Sequence, residues 1–188
     1  MMRAYTGAAV NYYWFELEVA GPVTEDHVEA LGDVLTAGDG IDASVQADDR
    51  GGIVMFTREA DDAIQAVVSA VRDVEAAGIT VTGAQEDSLT VSEIAERAKV
   101  TTASVRYWIA GERGPGGFPA PIVRRDRAST FSWAEVAAWL AWAKLGEVDH
   151  VAAETAWACN VIDAAITVRN GLREMPKHNR PLVRELVA

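Results

Sequence analysis

Thr101, Thr102, Ser104, Arg106 and Tyr107 crowd into one short segment, and each side chain ends in a hydrogen-bonding group. If Thr101 caps a helix, Val105 and Trp108, three residues apart, share its inner face, leaving Thr102, Ser104 and Arg106 outside with Tyr107 at the edge. Short hydroxyl side chains at a helix N-terminus suit the reading of major-groove base edges, and a guanidinium suits phosphate. A second basic group, Arg124, Arg125 and Arg127 around Asp126, sits where a tight turn is expected. Arginine-rich tips of this kind enter minor grooves, where narrow A·T tracts deepen the negative potential. Each group has a plainer reading: the solvent face of a helical hairpin, and a solvated loop.

The surrounding residues say how these groups would be held. Thr90 and Glu93 have the spacing of a capping box, opening a helix in which small Ala95 and Ala98 let a second helix cross closely. Lys99 stands in the turn between the two, where a positive φ would cost about 1 kcal/mol relative to glycine. After a glycine-rich run, Gly111 to Gly117, read as a flexible approach, come two short strands, Ile122-Val123 and Thr130-Phe131, flanking the arginines as a wing. Ser132 and Glu135 repeat the capping-box spacing and open a helix whose apolar face is Val136, Trp139, Leu140 and Ala143.

Residues 90 to 140 resemble the winged helix-turn-helix of excisionase and AlpA-type regulators, relatives of the MerR-like DNA-binding domain. The resemblance rests on Thr90 to Ile109, on Phe118-Pro119-Ala120-Pro121, and on Phe131-Ser132-Trp133 through Glu135-Val136 to Trp139-Leu140; Val105-Arg106-Tyr107-Trp108 matches the second-helix signature of the MerR branch. The span from about residue 11 to 140 is similar to actinobacterial helix-turn-helix proteins with an acidic N-terminal domain. The resemblance implies a non-enzymatic protein that binds duplex DNA, as a transcriptional regulator or as an excisionase-type accessory recombination factor.

The first half has a different character. Tyr13, Phe15, Leu17 and Val19 alternate with Tyr12, Trp14, Glu16 and Glu18, the pattern of a half-buried strand. A helix capped by Thr24 with Val28, Leu31 and Leu35 on one face follows, then strands at 43–47 and 53–57 around the turn-rich Asp48 to Gly52. A helix carrying Ile64, Val67, Val68, Val71 and Val74 ends at Gly78, and a strand at 79–83 completes the unit. The order strand, helix, strand, strand, helix, strand predicts a ferredoxin-like split βαβ domain, so the fold class expected is α+β. Tyr12 and Trp14, exposed aromatics on the outer sheet face, are the expected interface residues. Carboxylates Glu16, Glu18, Asp48 and Asp49 recur in nucleases built on such sheets, but no histidine or base accompanies them, and acidic surface is the simpler reading.

The net charge of −11 argues against a nucleic-acid partner until it is divided along the chain. Residues 1–88 hold 17 acids and 4 bases, 89–145 hold 8 bases and 5 acids, and 146–188 hold 5 bases and 6 acids. An acidic domain, 1–88, is therefore followed by a mildly basic winged helix-turn-helix, 89–145, and by a C-terminal helix and basic tail, 146–188, loosely ordered around Pro176 and Pro181. The apolar stripe of 151–168 is expected to pack within the chain or to pair with a second copy. Cys159 alone gives no internal disulfide. His27, His150 and His178 lack ligand spacing, so no metal or cofactor is expected. The first residues lack the apolar core of a secretory signal, which predicts a cytoplasmic protein. Duplex DNA, a homodimer partner and a basic protein for the acidic domain are the partners expected, with no membrane. A non-enzymatic protein-interaction or assembly module is the alternative.

Overall fold

Alternation from Asn11 onward produces β1 (Asn11–Ala20), with Tyr13, Phe15, Leu17 and Val19 buried and Tyr12, Trp14 and Glu18 exposed. The structure, a computed structural model, describes residues 11–38, 40–85, 87–124 and 129–187. Helix α1 (Glu25–Ala37) begins at Thr24, whose hydroxyl accepts from the His27 N–H while His27 Nδ1 accepts from the Thr24 N–H. Leu31 and Leu35 of α1 are buried as expected, but Val28, near the start of the helix, is 43 % exposed. Strands β2 (Ala43–Asp48) and β3 (Gly51–Ala60) pair antiparallel around Asp49-Arg50, and Asp48 Oδ1 accepts from the Arg50 N–H.

Helix α2 (Ala63–Ala76) buries Val67, Val71 and Val74 and ends before Gly78. Strand β4 (Val81–Ala84) follows. The sheet order is β2-β3-β1-β4, every neighbouring pair antiparallel. Its core stacks Phe15 on Phe56 and surrounds them with valines, leucines and alanines from α1 and α2. Arg58 points into this core at 8 % exposure, its guanidinium 4.8 Å from the Phe56 ring centre. Asp42 and Asp73 each lie 2.7 Å from it. Burial lowers its pKa, but hydrogen bonds to the two carboxylates outweigh that and hold the group above its ordinary value.

The second half is mainly helical. Strand β5 (Ser88–Thr90) runs into α3 (Val91–Arg97); α4 (Thr102–Ile109), strand β6 (Thr130–Ser132) and α5 (Trp133–Ala143) follow. β5 and β6 pair antiparallel; β6 falls on the strand expected at Thr130-Phe131, whereas β5, three residues of unremarkable composition, is not announced in the sequence. Leu89, Ile94, Ala95, Val105, Trp108, Phe131, Trp133, Val136 and Leu140 form a second core. The capping box expected at Ser132 and Glu135 is absent: the Ser132 side chain makes no cap bond, because it is buried and accepts from Asn160 Nδ2 at 3.2 Å.

Asn160 belongs to α6 (His150–Glu174), a 25-residue helix. By length and composition it could cross a membrane, yet its contacts are with the rest of the chain. Ala156 enters the second core, and Ala158, Cys159 and Ile166 enter the first. At the free edge of β4, Asp163 Oδ1 accepts from the Ala84 N–H at 3.0 Å and Asn170 Nδ2 donates to the Val81 carbonyl at 3.2 Å. Seven residues apart, these two side chains share a helix face and stand in for a neighbouring strand. Glu154 accepts from the Ala63 N–H at the start of α2, and Arg169 pairs with Glu75. The expected loose tail is instead largely helical: α6 extends to Glu174, and α7 (Arg180–Val187) follows, with Pro181 in its first turn, where a proline has no intrahelical N–H bond to lose.

Candidate nucleic-acid interface

The helix pair is built from its caps inward. The Thr90 N–H donates to Glu93 Oε2 at 2.7 Å and the Glu93 N–H to Thr90 Oγ1 at 3.4 Å, so the box predicted from spacing forms. The Thr90 N–H, and after it the Thr90 hydroxyl, hold the Glu93 carboxyl below its ordinary pKa. Ala95 and Ala98 are buried at the crossing of α3 and α4. Lys99 makes the turn with φ +53°, in the left-handed region, while the Val100 N–H reaches back to the Ala95 carbonyl at 2.8 Å. Its ammonium meets Glu147, and Arg97 meets Asp87 while lying 5.0 Å over the Trp133 ring.

Thr101 caps α4, accepting from the Ser104 N–H at 3.1 Å. Val105 and Trp108 face the core; Thr102, Arg106 and Tyr107 are exposed. Ser104 is half-buried and its hydroxyl is 2.9 Å from that of Thr101, so the two hydroxyls engage each other before any partner arrives. Arg113 lies 4.5 Å from the Tyr107 ring centre, a cation on the outer face that residue spacing did not single out. Arg106 makes no hydrogen bond or ion pair among the described residues. It is therefore free to meet a phosphate.

The glycine-rich run is largely exposed but is anchored near its end. Trp139 Nε1 donates to the Gly116 carbonyl at 2.8 Å, and Phe118 meets the edges of Trp139 and Phe131 at 5.0 and 5.7 Å. Gly114 has φ +82°, a conformation that favours glycine, and a Cβ there would press on the Trp108 ring at 3.3 Å. Ile122 and Val123 lie beside Thr130, next in sequence to Phe131 of this cluster. The Ile122 N–H bonds the Thr130 carbonyl, and the Thr130 N–H bonds the Val123 carbonyl. Ile122 and Val123 are exposed, as is Arg124; Arg125 and Arg127 lie outside the described residues.

Tyr12 and Trp14, 59 % and 61 % exposed, occupy the outer face of the sheet, opposite the face on which Tyr13 and Phe15 enter the first core. Trp14 and Tyr12 border a groove of about 460 Å³ between β1, the β4–β5 connection, α3 and the first turns of α6. Among the described residues no group of three or more histidines, cysteines or carboxylates converges to hold a metal ion. Compared with known protein families, with curated proteins and with solved structures, the chain matches none.

Proposed function

We propose that the protein is a non-enzymatic, sequence-specific binder of duplex DNA, acting in the cytoplasm as a homodimeric transcriptional regulator of the excisionase and MerR-like kind. In this reading residues 11–84 are a ferredoxin-like split βαβ module, which the strand order β2-β3-β1-β4 supports, and residues 88–143 are a winged helix-turn-helix. The observation that carries it is the outer face of α4: a capped N-terminus followed by exposed Thr102, Arg106 and Tyr107, on a helix whose other face is fixed by Val105 and Trp108. Thr102 would reach base edges, with Ser104 joining once its bond to Thr101 opens. Arg106, Arg113, Arg124, Arg125 and Arg127 would hold phosphates.

Selection of bound fragments from genomic DNA by the full chain tests the reading, followed by a salt titration of the selected site. Arg106→Ala, and the triple alanine change at Arg124, Arg125 and Arg127, should each weaken binding to all sequences. Each lost phosphate contact should lower the slope of log affinity against log salt by about 0.9. Thr102→Ala should change the preferred sequence instead. No enriched motif, or binding unchanged without the four arginines, would reject DNA as the ligand. The exposure of Ile109, Ile122 and Val123 beside α4 favours protein contact as the second reading, and that outcome would leave it standing.

A further inference from the structure

We propose that the groove between the outer sheet face and α6 binds an organic monocation with an aromatic or apolar body, such as a substituted ammonium. The groove's volume of about 460 Å³ falls within the range of small-molecule sites, and it lies at the junction of the two cores, a common place for them. Its walls are Tyr12 and Trp14 on one side and Val151, Ala152 and Thr155 of α6 on the other.

Charge decides the class of ligand. The two features that would attract an anion are already occupied: Arg97 is paired with Asp87, and the free N–H groups at the start of α6, Val151 and Ala152, are bonded by Asp149 at 3.0 and 3.1 Å. Glu16 is the exception. Half-buried on the groove wall beside Trp14, its carboxylate has no hydrogen bond or ion pair among the described residues. A neutral apolar ligand would strip water from that carboxylate without replacing it, and an anion would be repelled. A cation would pair with Glu16 and lie against the faces of Trp14 and Tyr12. The raised pKa of Cys159, another lining residue, follows first from burial and then from the nearby carboxylates of Asp87 and Asp163. The inference does not depend on the protein binding DNA.

Calorimetric titration of the full chain with phenethyltrimethylammonium, with phenethyl alcohol as the neutral comparison, tests it. The ammonium should bind one per chain, with the alcohol at least about tenfold weaker. Glu16→Gln and Trp14→Ala, both at surface positions, should each weaken the ammonium about tenfold or more. Glu59→Gln, an exposed acid on the same sheet outside the groove, should leave binding unchanged. Absence of binding at millimolar ammonium, equal affinity for the alcohol, or equal loss in Glu59→Gln would overturn the proposal. So would light scattering in which Trp14→Ala turns a dimer into a monomer, since Trp14 would then belong to a contact between copies.

Discussion

The contact between α6 and the β4 edge makes a quantitative prediction about how the two cores are joined. Asp163→Ala removes the acceptor for the Ala84 N–H, on a residue only 2 % exposed, and leaves that donor buried without a partner. A hydrogen bond to a charged group contributes about 1.5–3 kcal/mol, and the half-buried position of Asp163 places it near the low end, about 1.5–2 kcal/mol. For a chain of this size about 2–4 °C of melting temperature accompanies each kcal/mol, so a fall of about 3–8 °C is expected by scanning calorimetry. Gly83 supplies an internal check. A methyl added there would sit 2.7 Å from Asp163 Oδ1, so Gly83→Ala should also destabilise, and the two losses should be less than additive when combined. Because α6 carries Ala156 in one core and Ala158, Cys159 and Ile166 in the other, the fall should appear in a single transition. A shift below about 1 °C, or a loss confined to one of two separate transitions, would refute the account of α6 as a shared clasp.

Two further outcomes follow from local geometry. Lys99→Gly should stabilise by about 0.5–1 kcal/mol in urea unfolding, because glycine relieves the positive φ, while Lys99→Ala, which loses only the exposed ion pair with Glu147, should not stabilise. The Cys159 thiol, pushed up to about 12 by burial and then by Asp87 and Asp163, should react with iodoacetamide at pH 8 at least about 1,000-fold more slowly in the native chain than in denaturant. Since the folded state holds this proton more tightly than the unfolded one, its contribution to stability is complete below about pH 8.5 and declines as pH rises toward 12. Comparable labelling rates in both states would contradict the burial.

The elements that were legible in the sequence are those fixed by nearest neighbours. The alternation through Tyr13, Phe15, Leu17 and Val19, the valine stripe of α2, and the Thr90–Glu93 box each express a period or a cap that the backbone must satisfy within one turn or strand. Lys99 is similar, since the residues on either side require a reversal there. The misreadings came from distant partners. Ser132 has the spacing of a cap, but Asn160, remote in sequence, claims its hydroxyl. The anchor of the glycine run at Gly116 is not visible locally, because its partner, Trp139 Nε1, lies on a later helix. Nothing local in the sequence of α6 marks Asp163 and Asn170, whereas in the fold they satisfy a strand edge formed about 80 residues earlier, at Ala84 and Val81. Of the proposed DNA-facing side chains, residue type and helical face were readable, but the mutual bond of Thr101 and Ser104 and the stacking of Arg113 on Tyr107 required the folded chain.

The clasp also changes how the acidic half should influence DNA binding. A flexible linker would let 17 acids among residues 1–88 sample the basic half at high effective concentration. With α6 contributing to both cores, the acids among the described residues are instead held at fixed positions, and on the proposed DNA partner their effect would be a standing repulsion that salt screens. Removing residues 1–88 would be a poor test, because Ala158, Cys159 and Ile166 would lose their packing partners. Neutralising exposed acids without a partner among the described residues avoids this, and Glu18, Asp49 and Glu59 meet the requirement. In the full chain, Glu18→Gln, Asp49→Asn and Glu59→Gln together should tighten binding to random duplex at about 0.01 M salt, where the Debye length is about 30 Å. The gain should disappear near 1 M, where it is about 3 Å, while any preference for a selected site over random sequence stays unchanged throughout. Fluorescence anisotropy with labelled duplex gives both quantities, and equal affinities of the triple variant and the parent at low salt would show that the acidic surface exerts no such control.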